Sequence, residues 1–166
     1  KFSGIEISRD AAKLAILCAL YGASTYNLQK QLKEQGSDVK ANSLLLKVNE
    51  YFSLAPLTAM LKTAAADSQV IENYFGRPIS VDDLRPAVLV NNYLQSTAVD
   101  VSLLGFEKIC SDMNKVISPL FIIHDAMFFE ADESSLSEIV EYLSSGFTID
   151  GLGNFPLKVT EVTNDE

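Results

Sequence analysis

The 166 residues carry 13 Lys and Arg against 22 Asp and Glu, a net charge of -9, with 48% hydrophobic residues and two cysteines. That apolar share is enough to build a real core and excludes a disordered chain. No apolar run approaches the roughly 18 residues of a membrane helix, no signal peptide is visible, and the acidity argues against a free-standing DNA binder, since phosphate contact needs cations.

The charge is uneven. Residues 1–77 hold nine Lys/Arg and seven Asp/Glu, a net of +2, whereas residues 78–166 hold four and fifteen, a net of -11. The first part can face phosphate; the second reads as a solvated acidic surface plus a metal site. Cys18 and Cys110 lie in apolar, helix-like settings without CxxC spacing, so both read as reduced core thiols with no disulfide or zinc site.

Ser8 opens the first element. Its hydroxyl can accept a backbone N–H and cap a helix, and Asp10 follows in the first turn, where the helix dipole favours an acid. The pattern predicts a helix over 9–22. Arg9 and Lys13 also fall in the first turns, where the dipole disfavours cations. Four apart, they share one face, with Leu17 and Tyr21 drifting slowly around it. Two cations beside the N–H groups of a helix start suit a polyanion such as a triphosphate. An ordinary core helix with two solvated basic residues fits the same spacing.

Gly22-Ala23-Ser24 breaks this helix. A shorter amphipathic helix with Leu28 and Leu32 follows, ended by Gly36. Residues 39–53 are helical in pattern, with Leu44, Leu45, Val48 and Phe52 on one side. Pro56 suits the first turn of another helix over 56–69. Phe75-Gly76-Arg77-Pro78 then punctuates the chain as a turn, with a short extended piece after it.

Asp82 and Pro86 open a long helix, expected to reach Lys115. Within it, Asn91 and Gln95 lie one turn apart and can reach into one groove. Such amides can donate to the minor-groove acceptors that every base pair shows, although a polar helix stripe reads the same way. Phe121-Ile122-Ile123 and Ala126–Phe129 read as two strands, with His124-Asp125 exposed in a tight turn between them. Ser135-x-x-Glu138 reads as a capping box before Leu136, Ile139, Val140 and Leu143, and Gly146 stops that helix. "FTID" and "FPLKVTEV" read as a strand pair around "GLGN". The fold class is therefore α+β: a helical layer, then a long helix, an antiparallel hairpin and a terminal helix-strand unit.

Four of these stretches together resemble family A DNA polymerases, over roughly Ile7 to Val159. "ISRDAAKLAILCALYGAS" is similar to the nucleotide-binding helix of the fingers, and its Ser-Arg-Asp-x-Ala-Lys opening is most like the phage and mitochondrial branches. "FGR" resembles the Gly-Arg turn that leads from fingers to palm. "NNYLQSTAVD" resembles the Asn-x-x-(Ile/Val/Leu)-Gln-Gly-Thr-Ala-Ala-Asp signature, with Ser96 in place of the Gly and Asp100 as a structural acid. "PLFIIHDAMFFE" resembles the His-Asp hairpin of the palm.

The resemblance implies fingers over 1–75 and palm over 76–166. It implies that Arg9 and Lys13 grip an incoming dNTP, that Leu17 lies near its sugar and that Tyr21 lies by the templating base. Arg77, Asn91, Gln95 and His124 would meet primer–template DNA, and Asp125 would hold catalytic Mg2+, with Lys13 beside it as a catalytic residue. Three departures stand out. Leu17 occupies a position usually held by Phe or Tyr, as in some phage members. Ala126 follows Asp125 where the family usually has Glu. The final Gly-x-x-Trp is missing, and the chain holds no Trp.

Nucleotide addition is an in-line phosphoryl transfer steadied by two metal ions about 3.5–4 Å apart. A pair of hard cations needs at least two carboxylates, and this chain offers one, Asp125. Nothing before Ser8 matches the family's other catalytic Asp. The expectation is that an upstream segment or a second chain brings that Asp, the thumb and any exonuclease. A chain starting at Lys1 suggests a split gene or intein product, with a proteolytic fragment as the competing explanation. The branch implies a phage-encoded enzyme acting in the host cytoplasm, a mitochondrial one less so, with no membrane partner.

Three other readings remain open. A phage-type single-subunit RNA polymerase also has a Lys helix ending in Tyr-Gly and a His-Asp hairpin, though "NNYLQSTAVD" favours the DNA enzyme. A non-catalytic interaction domain could keep the fold alone. A His-Asp phosphohydrolase would need several further His ligands, and the chain has one His.

Overall fold

The computed structural model describes residues 7–22 and 24–162. Ala23, in the expected break after the first helix, lies outside the described residues. The chain divides into two compact units, Lys1–Thr97 and Ala98–Glu166, and is an α+β fold of helices with small antiparallel sheets. Among the described residues no helix is long and apolar enough to cross a membrane.

The first unit opens with four helices: α1 Arg9–Tyr21, α2 Thr25–Glu34, α3 Ala41–Tyr51 and α4 Leu54–Ser68. Ser8 and Ser24 cap α1 and α2 by accepting N–H groups from Ala11 and Asn27. Ala11, Ala15 and Cys18 line the buried side of α1 and meet Leu28, Leu32, Leu44 and Val48. Small residues at that i, i+4, i+7 spacing let the neighbouring helices come close. Each fully buried Leu contributes about 1.5–3 kcal/mol. Burial pushes the Cys18 thiol up, which suits an inert core residue.

After α4 come two short antiparallel strands, β1 Val70–Glu72 and β2 Pro78–Ser80, with Ile71 opposite Ile79. Helix α5 Pro86–Asp112 follows, and the boundary between the units falls within it. Leu61 and Ala65 of α4, Ile71, Val81, Leu89 and Val90 form a second buried cluster. Gly22 ends α1 with φ 69°, and a Cβ there would come 2.8 Å from the Cβ of Ala87. The end of α1 therefore touches the first turn of α5, which Pro86 suits as a first helical residue.

In the second unit, β3 Ile117–Ile123 and β4 Ala126–Ala131 form an antiparallel hairpin, from Ile117 opposite Ala131 to Ile123 opposite Ala126. The register shifts between Pro119 and Phe121, where proline has no N–H for the ladder. Then come α6 Leu136–Ser144 and the pair β5 Phe147–Ile149 and β6 Gly153–Phe155. The core gathers Val101, Phe106, Ile109, Met113, Ile117, Ile139, Leu143 and Phe147. The Phe147 and Phe155 rings stack at 5.4 Å.

Several local expectations are corrected. The carboxylate that takes a backbone N–H before α5 is Asp83, from Arg85 at 2.8 Å, not Asp82. The Arg85 guanidinium bonded to Asp83 also holds its carboxyl below the usual range. Helix α5 stops at Asp112 rather than Lys115, because Val116 and Ile117 both turn back to the Met113 carbonyl. The box at Ser135 and Glu138 does not form: Ser135 already has helical dihedrals at the end of a 3-10 turn, Glu133–Ser135, and makes no side-chain cap bond. The last strand is Gly153–Phe155, and residues 156–162 form no strand, since Pro156 interrupts the ladder. Phe52 and Val140 are exposed, and Phe52 lies past the end of α3. Cys110 is only half-buried, with its thiol 3.6 Å from the Met127 sulfur. Strand β1 was not foreseen.

Candidate nucleotide and nucleic-acid site

Helix α1 separates its two sides sharply. Ala11, Ala15 and Cys18 are buried, whereas Arg9, Lys13, Leu17 (39% exposed) and Tyr21 (56% exposed) stand in solvent. The exposed stripe thus runs from two cations at the helix start to a leucine and a tyrosine at its end. Neither Arg9 nor Lys13 has an ion-pair partner among the described residues. Ser8 takes one of the first N–H groups, and the dipole of the remaining turn favours an anion there.

Tyr21 does not end in open solvent. Its phenolic oxygen accepts from Gln95 Nε2 at 3.0 Å, and the same amide nitrogen donates to Asn91 Oδ1 at 3.1 Å. The end of α1 and the Asn91–Gln95 turn of α5 are therefore one hydrogen-bonded group within the first unit. The close approach at Gly22 and Ala87 makes that reach possible.

One residue further along α5, Ser96 gathers the Gly-Arg turn. Arg77 Nη2 donates to the Ser96 carbonyl at 3.3 Å and to its Oγ at 3.2 Å. Asn73 Nδ2 donates to the same Oγ at 3.1 Å, while Asn73 Oδ1 accepts from the N–H groups of Phe75 and Arg77 at 2.9 and 3.0 Å. Asn73 is 5% exposed, and its backbone closes the loop onto Arg77. Gly76, at φ 78°, completes the turn.

In the second unit His124 and Asp125 form the two-residue turn of the β3–β4 hairpin, and both are exposed. His124 holds φ 54°, the positive value that such turns require at their first central residue. Glycine usually fills that place, so the imidazole is kept there at a conformational cost. Asp125 offers a single carboxylate of hard oxygen donors. Among the described residues no group of three His, Cys, Asp or Glu gathers to hold a metal ion. By itself Asp125 does not make a two-magnesium site.

No family model matches the sequence, and no curated protein matches it. Among solved structures, the chain is similar to the POL domain of Pol1 from M. smegmatis, in complex with DNA primer-template and dNTP. The TM-score is 0.53 at 19% identity, over 82% of this chain and 27% of that one. The likeness is one of fold, to part of that polymerase domain. It spans about a quarter of the length of that neighbour.

Of the residues singled out in the sequence, the structure joins Tyr21, Asn91 and Gln95 by hydrogen bonds and seats Arg77 beside them through Ser96. Arg9, Lys13 and Leu17 share the exposed side of α1, and His124 and Asp125 sit together at a hairpin tip. The residue that sequence reasoning missed is Asn73. Its signal was present: an Asn opening Asn-Tyr-Phe-Gly-Arg has the chemistry of an Asx turn.

Proposed function

We propose that this chain is the fingers and palm portion of a template-directed DNA polymerase of the family A type, in its phage- or mitochondrial-like branch. It adds deoxynucleotides to a primer 3' end. Arg9 and Lys13 hold the triphosphate, Leu17 lies at the sugar and Tyr21 near the templating base. Arg77, Asn91, Gln95 and His124 meet primer–template DNA. Asp125 supplies one carboxylate towards magnesium, and an upstream segment or a second chain supplies the other, with the thumb and any exonuclease. A phage-encoded enzyme working in the host cytoplasm fits this branch.

One observation carries the reading. A solvent-facing stripe of two cations, Leu17 and Tyr21 ends on the amides of Asn91 and Gln95, in a chain with a polymerase-domain fold.

The test is primer extension with Mg2+ and dNTPs. The chain is assayed alone, and then assembled with a polypeptide that carries an Asp-x-Ser-x-x-Glu-like segment. The expected result is no ordinary synthesis alone, synthesis on assembly, and loss of that synthesis in Asp125→Asn. Ordinary synthesis by the lone chain would overturn the division of carboxylates. An assembled protein indifferent to Asp125→Asn would be an interaction domain that keeps only the fold.

A further inference from the structure

We propose that Ser96 and Asn73 are positioning residues that hold the Arg77 guanidinium against α5, beside Gln95, where it meets the backbone of bound DNA. The proposal rests on the reading of Arg77 as a DNA contact. It adds the device that aims it.

The geometry singles out one oxygen. Ser96 Oγ accepts from Arg77 Nη2 at 3.2 Å and from Asn73 Nδ2 at 3.1 Å. A hydroxyl oxygen has two acceptor positions, so these two donors fill it. Asn73 does the remaining work of the turn, taking the Phe75 and Arg77 N–H groups on its Oδ1. The backbone that launches Arg77 and the tip of its side chain are thus tied to the same hydroxyl, directly and through one buried amide. Either tie alone leaves a hinge; together they fix both ends of the side chain.

Fixing an arginine in advance matters because its side chain is among the richest in rotamers, and freezing it on contact weakens binding. A glycine at position 96 would offer Arg77 only a main-chain carbonyl and would leave Asn73 Nδ2 without this acceptor. Ser96 stands where the Gln-Gly pattern of the resemblance has Gly, a replacement that phage relatives allow. Here the hydroxyl has a physical use.

The test measures fluorescence anisotropy of a labelled primer–template duplex with the assembled protein, this chain together with the polypeptide that brings the other Asp and the thumb, over a series of salt concentrations. Arg77→Ala is expected to weaken binding and to lower the slope of log Kd against log salt by about one. Ser96→Ala is expected to weaken binding about three- to tenfold, the range of a lost hydrogen bond, with the slope unchanged. Ser96→Thr, which keeps the hydroxyl, restores it. In the Arg77→Ala background, Ser96→Ala should have no further effect, which a general loss of structure would not mimic. Circular dichroism of each variant reports whether α5 is intact.

Native affinity in Ser96→Ala, or an equal loss with and without Arg77, would overturn the positioning role while leaving Arg77 as a DNA contact. Unchanged affinity in Arg77→Ala, or no binding of the duplex by the assembled protein with wild-type Arg77, would overturn that contact and this proposal with it.

Discussion

Replacing Tyr21 with Phe removes one oxygen and leaves the ring. That oxygen accepts one Gln95 N–H at 3.0 Å, and the amide's other N–H goes to Asn91 at 3.1 Å. Both Gln95 donors are therefore engaged inside the chain, and a minor-groove acceptor gains one only when a bond opens. The Asn91 partner lies on the same helix, so the Tyr21 bond is the one that ties Gln95 to another element. Tyr21 is 56% exposed and Gln95 is exposed too, so the bond is near the low end for a hydrogen bond, about 0.5–1 kcal/mol. If bound DNA competes with Tyr21 for Gln95, removing the oxygen should tighten primer–template binding about two- to fivefold. Gln95→Leu should weaken it. Anisotropy of a labelled duplex at fixed low salt measures both, and a urea titration checks that Tyr21→Phe costs no more than about 1 kcal/mol of stability. Weaker binding in Tyr21→Phe alongside weaker binding in Gln95→Leu would mean that the hydroxyl itself serves DNA, and the competition argument would be wrong.

Gly22→Ala should destabilise the first unit by about 2–4 kcal/mol, adding a left-handed penalty to a 2.8 Å approach to Ala87; Ala87→Gly should recover only the steric part in urea melts. Gly146→Ala should be at least as costly to the second unit, since φ is +70° and the new Cβ meets the Phe155 carbonyl oxygen. His124→Gly should leave stability unchanged or raise it by about 1 kcal/mol, because glycine accepts the positive φ but loses chain entropy; a drop in duplex affinity without a drop in stability would then report the imidazole's role. The last concerns pH. Hydrogen bonds from Lys108 and then Tyr142 hold the Asp112 carboxyl below its usual range, while burial and then Asp112 push the Tyr142 phenol up to about 12. A depressed carboxyl adds stability that is present above its unfolded value and is lost as pH falls through the folded one. A raised phenol adds stability that is present below its unfolded value, about 10, and is lost as pH rises towards the folded one. The urea midpoint of the second unit should therefore fall on both flanks, and Tyr142→Phe should abolish the alkaline fall and shrink the acid one.

What could be read from the sequence follows the range of the forces involved. Helix α1, its Ser8 cap and the His124-Asp125 turn are set by residues within a few positions, and all three appear where the local chemistry puts them. The capping box at Ser135 failed for an equally local reason that pattern matching ignores: the helical conformation had begun one turn earlier, so Ser135 was no longer outside the helix. Strand β1 was hidden because three residues are too few to show a period, and its partner lies across a turn that Asn73 organises. The "FPLKVTEV" stretch looked like a strand by composition, but a strand needs a neighbour to accept its ladder, and Pro156 interrupts the donors.

The amide group on α5 lay beyond any local reading. Tyr21 and Gln95 are 74 positions apart, and nothing in either segment names the other. What brings them together is small size elsewhere: Gly22 has no Cβ and the side chain of Ala87 ends at one, so the end of α1 can settle on the first turn of α5. Two turns along α5 from that contact, Gln95 is at the right height to meet a phenol at the end of α1. A small-residue contact, which carries no chemistry of its own, thus decides where the chemistry-bearing groups can meet. The end of the α1 stripe and the amides on α5 meet only because Gly22 and Ala87 permit it, and in a chain with bulkier residues at those two places the same motifs would be present without that hydrogen bond.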